Sequence, residues 1–139
     1  MHAWINIFTS IHIAVYRFTH GILGSKLGRQ SILLLHSTGA RTGRMRITTL
    51  SYCRDGERYL VVASNWGRPN HPGWYHNLLA NPHATIQVKS HIISVQAHLA
   101  QADEYLRLWQ LVTEQNDQYI RYQRGLARRI PIIILTPHE

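Results

Sequence analysis

The sequence predicts a mainly β protein with helices, of the α+β class. About six antiparallel strands close into a small barrel, with an amphipathic helix at the N-terminus. Three observations carry this. Short runs rich in Val, Ile, Leu, Thr and Tyr recur between Gly, Pro, Asn and Asp signals, as strands do. The links between neighbouring runs are of hairpin length, which makes the pairing antiparallel. Strands this numerous in 139 residues hide their edges best by closing on themselves.

The elements follow in order. Trp4, Phe8, Ile11, Val15 and Phe18 share one helical face, and Gly21 and Gly24 end the helix. Residues 1–29 thus form an amphipathic helix and linker. Packing on the core and resting on a membrane surface, with Arg17 and His20 near headgroups, are both open to it. Residues 30–139 form the barrel, and the whole chain is one domain. SILLLH (31–36) is a buried strand. RITTLSYCR (46–54) is a second, with Ile47, Thr49, Ser51 and Cys53 on one face and Thr48, Leu50 and Tyr52 on the other. Asp55-Gly56 signals a hairpin into RYLVVAS (58–64). NWGRPNHP is a loop, and Pro72 suits the start of a short helix, GWYHNLLA, that stops before Pro82. ATIQV (84–88) and IISVQAHL (92–99) pair around Lys89-Ser90-His91. Residues 103–122 read as one helix burying Leu106, Trp109, Leu111 and Val112, and IIILT is the last strand.

Composition narrows the function. Fifteen Lys and Arg face seven Asp and Glu, a net charge of +8. Most of the cations are Arg, whose planar fork of donors suits phosphates and carboxylates. The partner classes are nucleic acid, an anionic membrane surface and a polyanionic small ligand. The arginines gather in one turn and a C-terminal stretch (Arg121, Arg124, Arg128, Arg129) rather than along a groove, which argues against nucleic acid. A single cysteine, Cys53, excludes an intramolecular disulfide and a cysteine zinc cluster, and is compatible with a cytoplasmic, reducing setting. The ten histidines form no recognisable metal-ligand set, so no metal is expected.

Two clusters stand out. In STGARTGRMR (37–46), Gly39 and Gly43 permit close approach, hydroxyls and amides donate, and Arg41, Arg44 and Arg46 surround the bend. The spacing is neither a Walker loop nor a dinucleotide turn. An anion site and a solvated hairpin tip are both compatible with it. In ASNWGRPNHPGWYHNL (63–78), Ser64 and Asn65 end a strand beside a helix start, and Trp66, Trp74 and Tyr75 offer flat surfaces. Together the clusters suit a ligand with one ring end and one anionic end.

TGARTGRMRITTLSY, DGERYLVVASNWGRPNHPGWYHNLLANP and the Ile-Pro-Ile-Ile strand resemble the deazaflavin (F420)-dependent nitroreductase and quinone reductase family, over roughly residues 30 to 137. The resemblance implies a split β-barrel related to FMN-binding barrels, with coenzyme F420 as cofactor. It implies that Arg41 and Thr42 hold the phosphate and tail, with Ala40 in the same cofactor-binding turn. Arg46, Ile47, Thr48, Thr49, Leu50 and Ser51 would line the cofactor, Val62, Ala63, Ser64 and Asn65 would flank its ring, and Gly73, Trp74, Tyr75, His76 and Asn77 would approach it from the short helix. QNDQYIRYQ matches a region of substrate-facing tyrosines, so Tyr119, Tyr122 and Ser64 are the candidates to donate to the acceptor.

The function expected is hydride transfer from reduced F420 to a small-molecule acceptor: a quinone, a nitroaromatic or another activated conjugated compound. An FMN oxidoreductase on the same barrel is the rival within enzymes, and needs fewer cations. A cytoplasmic monomer or dimer is expected, with peripheral contact at the inner membrane face through the N-terminal helix as a further expectation.

Overall fold

The computed structural model describes Lys26, Leu27 and residues 30–138. The N-terminal helix, and with it the expected membrane contact, lies outside the described residues. The order is β1 (Lys26–Leu27), β2 (Gln30–Thr38), β3 (Met45–Asp55), β4 (Arg58–Val62), α1 (Gly73–Ala80), β5 (His83–Val88), β6 (His91–Leu99), α2 (Ala102–Gln115), α3 (Gln118–Arg124) and β7 (Ile132–Pro137). The sheet runs β1-β2-β3-β4-β7-β6-β5, and β2 also pairs with β5. Six strands thus close into a barrel in which every pairing is antiparallel. No helix among the described residues is long and apolar enough to cross a membrane.

Alternation explains the core. Leu33 and Leu35 of β2, Val61 of β4, Ile86 of β5, Val95 of β6 and Ile133 and Leu135 of β7 fill the interior, and Trp74 and Leu78 of α1 plug one end. β4 and β7 are apolar on both faces because α2 and α3 cover the outside. Leu60, Ile132 and Ile134 pack there beneath Tyr105, Leu108, Val112 and Tyr119. Each fully buried Leu or Ile contributes on the order of 2 kcal/mol by leaving water.

The single helix expected over 103–122 is two helices. Asn116 adopts an extended conformation at φ −147° and ψ 99°, and its side-chain oxygen accepts from the Gln118 amide at 3.0 Å. Such a local bond competes with helical pairing and breaks the run. The buried stripe also shifts. Leu106 is 64% exposed, while Tyr105 and Leu108 are buried with Val112.

Candidate functional site, a split in the barrel wall

The β3–β4 ladder is only three pairs long, from Asp55↔Arg58 to Cys53↔Leu60. β3 continues beside β2 as far as Thr38↔Met45, whereas β4 continues beside β7 to Val62↔Ile132. Among the described residues, 45–52 of β3 therefore have a strand neighbour on one side only. Their open edge runs for roughly 25 Å at 3.3 Å per residue.

β3 alternates along this split. Ile47, Thr49 and Ser51 point outward, in phase with Cys53 of the outer cluster, while Leu50 and Tyr52 pack on the barrel core. Arg46 and Thr48 are in phase with Leu50. Ile47, Thr49 and Ser51 thus share the outward face of β3 along the split, and Arg46, Thr48 and Leu50 share the opposite one. The Thr49 hydroxyl is buried without a hydrogen-bond partner among the described residues, an expensive state unless something else supplies one.

α3 closes the far side. The Tyr119 hydroxyl lies 3.3 Å from Ser51 Oγ. A cavity of about 50 Å³ is lined there by Ser31, Ser51, Cys53, Val62, Asn116 and Tyr119. Burial raises the Tyr119 pKa, and the Ser51 hydrogen bond opposes it only in part, so the phenol keeps its proton at neutral pH. Burial likewise raises the Cys53 thiol, which leaves it a poor nucleophile. Tyr122 accepts a hydrogen bond from Gln118 Nε2 at 2.8 Å and keeps its own proton free to donate. Ser64 Oγ has no partner among the described residues, while its carbonyl is used by Gly67 and Arg128.

At the other end lies the 39–44 turn. The Gly39 amide donates to the Arg44 carbonyl at 2.7 Å, Gly43 donates to Gly39 O at 2.9 Å, and the Arg44 amide donates to Thr42 Oγ1 at 3.2 Å. Gly43 has φ +70°, a conformation that side chains resist. The Ala40 amide donates to Asn77 Oδ1 at 2.9 Å, which ties the turn to α1. That bond takes the Ala40 N–H out of reach of a ligand. The amides of Arg41 and Thr42 have no such partner, and Arg41, Arg44 and Arg46 are exposed and form no ion pair among the described residues. Free amides beside unpaired guanidinium groups make a concavity suited to anions.

Between these ends, the 63–72 loop leaves β4 through three consecutive left-handed residues: Asn65 (φ 51°), Trp66 (φ 60°) and Gly67 (φ 78°). Arg128 holds this loop. Its guanidinium donates to the carbonyls of Ser64 at 2.9 Å, Arg68 at 3.0 Å and Ala63 at 3.2 Å, and contacts His71 Nδ1 at 3.1 Å. Burial, with help from Arg128, lowers the His71 pKa, so the imidazole is neutral there. A Cβ on Gly67 would lie 2.8 Å from the Tyr122 ring, so only glycine permits this approach.

The sequence-predicted residues of α1 are not gathered in the split. Trp74 belongs to the barrel interior and Asn77 braces the turn. Tyr75 stacks near His71 at 4.4 Å and faces a second, open cavity of about 270 Å³ with Gln101, Tyr105 and Arg129. Gly73 and His76 are exposed, and Ala63 faces inward. The three-carbonyl clamp by Arg128 was missed from sequence, where Arg128 is one cation in a basic stretch.

Residues 8–137 match the family model described as F420H(2)-dependent quinone reductase. An F420H(2)-dependent quinone reductase of Mycobacterium tuberculosis is 47% identical over 130 residues, covering 91% of this chain and 87% of that protein. A solved F420-H2 dependent reductase (FDR-A) superposes with a TM-score of 0.70 at 33% identity, over 75% of this chain and 92% of that one. A structure described as a domain-swapped dimer has a TM-score of 0.74 at 30% identity, over 96% and 98% of the two chains.

Proposed function

We propose, since this chain belongs to the F420H(2)-dependent quinone reductase family, that it is an F420H2-dependent reductase whose cofactor lies along the split between β3 and β4. The single observation that carries the placement is the colinearity of the split. Among the described residues, it begins at arginines without an ion-pair partner, runs along an open strand edge past a buried hydroxyl without a hydrogen-bond partner, and ends at a protonated tyrosine. Residues of this character fit a ligand with an anionic tail and a hydrogen-bonding ring.

Arg41, Arg44 and the free amides of Arg41 and Thr42 would hold the phosphate and acidic tail. Thr49 and the open backbone edge of β3 would take the hydrogen-bonding groups nearer the ring, and Val62 and Ser64 would form the facing wall. Bound there, reduced F420 supplies a hydride. The overall exchange, F420H2 plus quinone to F420 plus quinol, balances without another reactant. The task of this chain is to orient and to donate. Tyr119, buried and protonated, and Tyr122, with its proton free, supply hydrogen bonds to an acceptor oxygen as negative charge builds on it. Holding donor and acceptor at one end of the split supplies proximity. Quinones are the acceptor class we favour, as the names of the relatives support.

The test is a fluorescence titration of the purified protein with F420, followed by anaerobic mixing of F420H2 with a quinone. A dissociation constant in the micromolar range or below, and loss of F420H2 only when both protein and quinone are present, are expected. Absence of F420 binding, or FMN retained through gel filtration in its place, overturns the reading.

A further inference from the structure

We infer that Trp66 is the acceptor-selecting wall of the site, a stacking surface for flat, fused-ring quinones at the rim of the split. The inference rests on the placement of the cofactor in that split.

Trp66 is abnormal in two respects at once. Its backbone is left-handed, at φ 60° and ψ 25°. That region suits Gly or Asn and is strained for a bulky residue. Its indole is also 69% exposed, although a tryptophan side chain gains more than most by leaving water. Together they describe a side chain held out at a cost on both counts.

The surroundings impose that pose. The Gly67 amide donates to Ser64 O at 3.0 Å, the Arg68 amide to Asn65 O at 3.1 Å, and Asn65 Nδ2 to Asn70 O at 2.9 Å. Arg128 fixes the carbonyls on both sides of Trp66, and the Tyr122 ring backs Gly67. Strain that persists because its frame over-determines it marks a functional position more often than a neutral one.

The location says what it is for. Trp66 follows Val62 and Ser64, on the β4 side of the split, and its turn rests against α3, which brings Tyr119 and Tyr122. The rim therefore carries an exposed indole beside tyrosines that donate to oxygen. A planar conjugated ring satisfies both. A two-ring quinone covers the indole better than a one-ring quinone.

Four measurements on Trp66→Gly and Trp66→Phe test this. Glycine is at ease at this φ, so Trp66→Gly folds and melts a few degrees higher than the parent. The F420 dissociation constant should stay within about twofold. The KM for menadione should rise roughly tenfold in Trp66→Gly and be largely restored in Trp66→Phe, while the KM for p-benzoquinone changes little. Quenching of tryptophan emission by menadione in the F420-loaded protein should fall in both variants. An equal KM change for both quinones, or none for either, overturns the proposal. So does a large loss of F420 affinity, which would make Trp66 a cofactor contact. Failure of the parent protein to bind F420 would strike the placement of the cofactor instead, and is read from a separate titration.

Discussion

The two ends of β3 use arginine in opposite ways. At the Asp55 end, the carboxylate accepts from Arg107 at 2.9 and 3.1 Å and from Arg58, and Arg58 also reaches Glu104 at 3.3 Å. Arg54 lies 4.2 Å from the Tyr59 ring centroid and donates to the Gly56 carbonyl. These cations have partners and tie the hairpin to α2. At the Met45 end, Arg41, Arg44 and Arg46 have no carboxylate partner among the described residues, yet sit within a few residues of one another. Like charges so placed repel, and water and salt make that tolerable without making it favourable. A satisfied guanidinium staples a fold, while an unsatisfied cluster contributes no such tie and is available to the anion proposed above.

The sharpest way to break the comparison is to remove the unsatisfied cations. Arg41→Ala with Arg44→Ala should weaken F420 binding about a hundredfold, near 2.8 kcal/mol, if each residue makes one charge-assisted contact. The remaining affinity should depend less on salt. The melting temperature should not fall, since no partner is lost. Fluorescence titration at two ionic strengths reads the first two outcomes and calorimetry the third. A variant that binds as tightly as the parent returns this turn to a solvated hairpin tip.

The satisfied end should answer in stability and not in binding. Arg107 and Arg58 hold the Asp55 carboxyl well below the usual carboxylate range. A depressed folded-state pKa gives stability that is present above the unfolded value, about 3.9, and is lost as pH falls below it. Asp55→Asn should therefore lower stability by about 1 kcal/mol at pH 7, a figure discounted for solvent screening of a partly exposed cluster. The gap between parent and variant should shrink as pH drops from about 4 towards 2. Urea denaturation across that range checks it, and F420 affinity at pH 7 should be unaltered. If Asp55→Asn weakens the cofactor as much as it weakens the fold, the two ends are one system and the contrast fails.

Much of this was legible in the sequence, and the reasons differ by element. The alternation of Ile47, Thr49 and Ser51 against Thr48, Leu50 and Tyr52 held because a strand has period two wherever it lies. The hairpin after Asp55 held because its turn chemistry is local, as did the stop of α1 before Pro82. The break at Asn116 was missed because it turns on one side chain choosing the Gln118 amide over solvent. Leu106 was placed inside through a helical phase error that the outer face of β4 and β7 settles. The site was read as a list along the chain, whereas the fold sorts that list by direction. Trp74 turns into the barrel, Tyr75 turns to another cavity, and Ala40 spends its amide on Asn77. The parting of β3 from β4 is a relation between strands and has no signature in either one.

The smallest expected effect is the most discriminating, because its two parts have opposite signs. Thr49 lies midway along the split, between the arginine turn and the Ser51–Tyr119 contact, with its hydroxyl buried and without a hydrogen-bond partner among the described residues. Thr49→Val keeps the shape and removes the hydroxyl. If the hydroxyl serves only the fold, its removal should destabilise the free protein and leave F420 binding unchanged. If it awaits a ligand atom, the free protein should gain about 0.5 kcal/mol, because an unsatisfied group is gone, while F420 binding weakens roughly threefold for want of one hydrogen bond. Denaturation of the free protein and titration with the cofactor must then move apart. Weakening of both would mean that Thr49 has a structural partner and that the open edge of β3 is not where the cofactor lies.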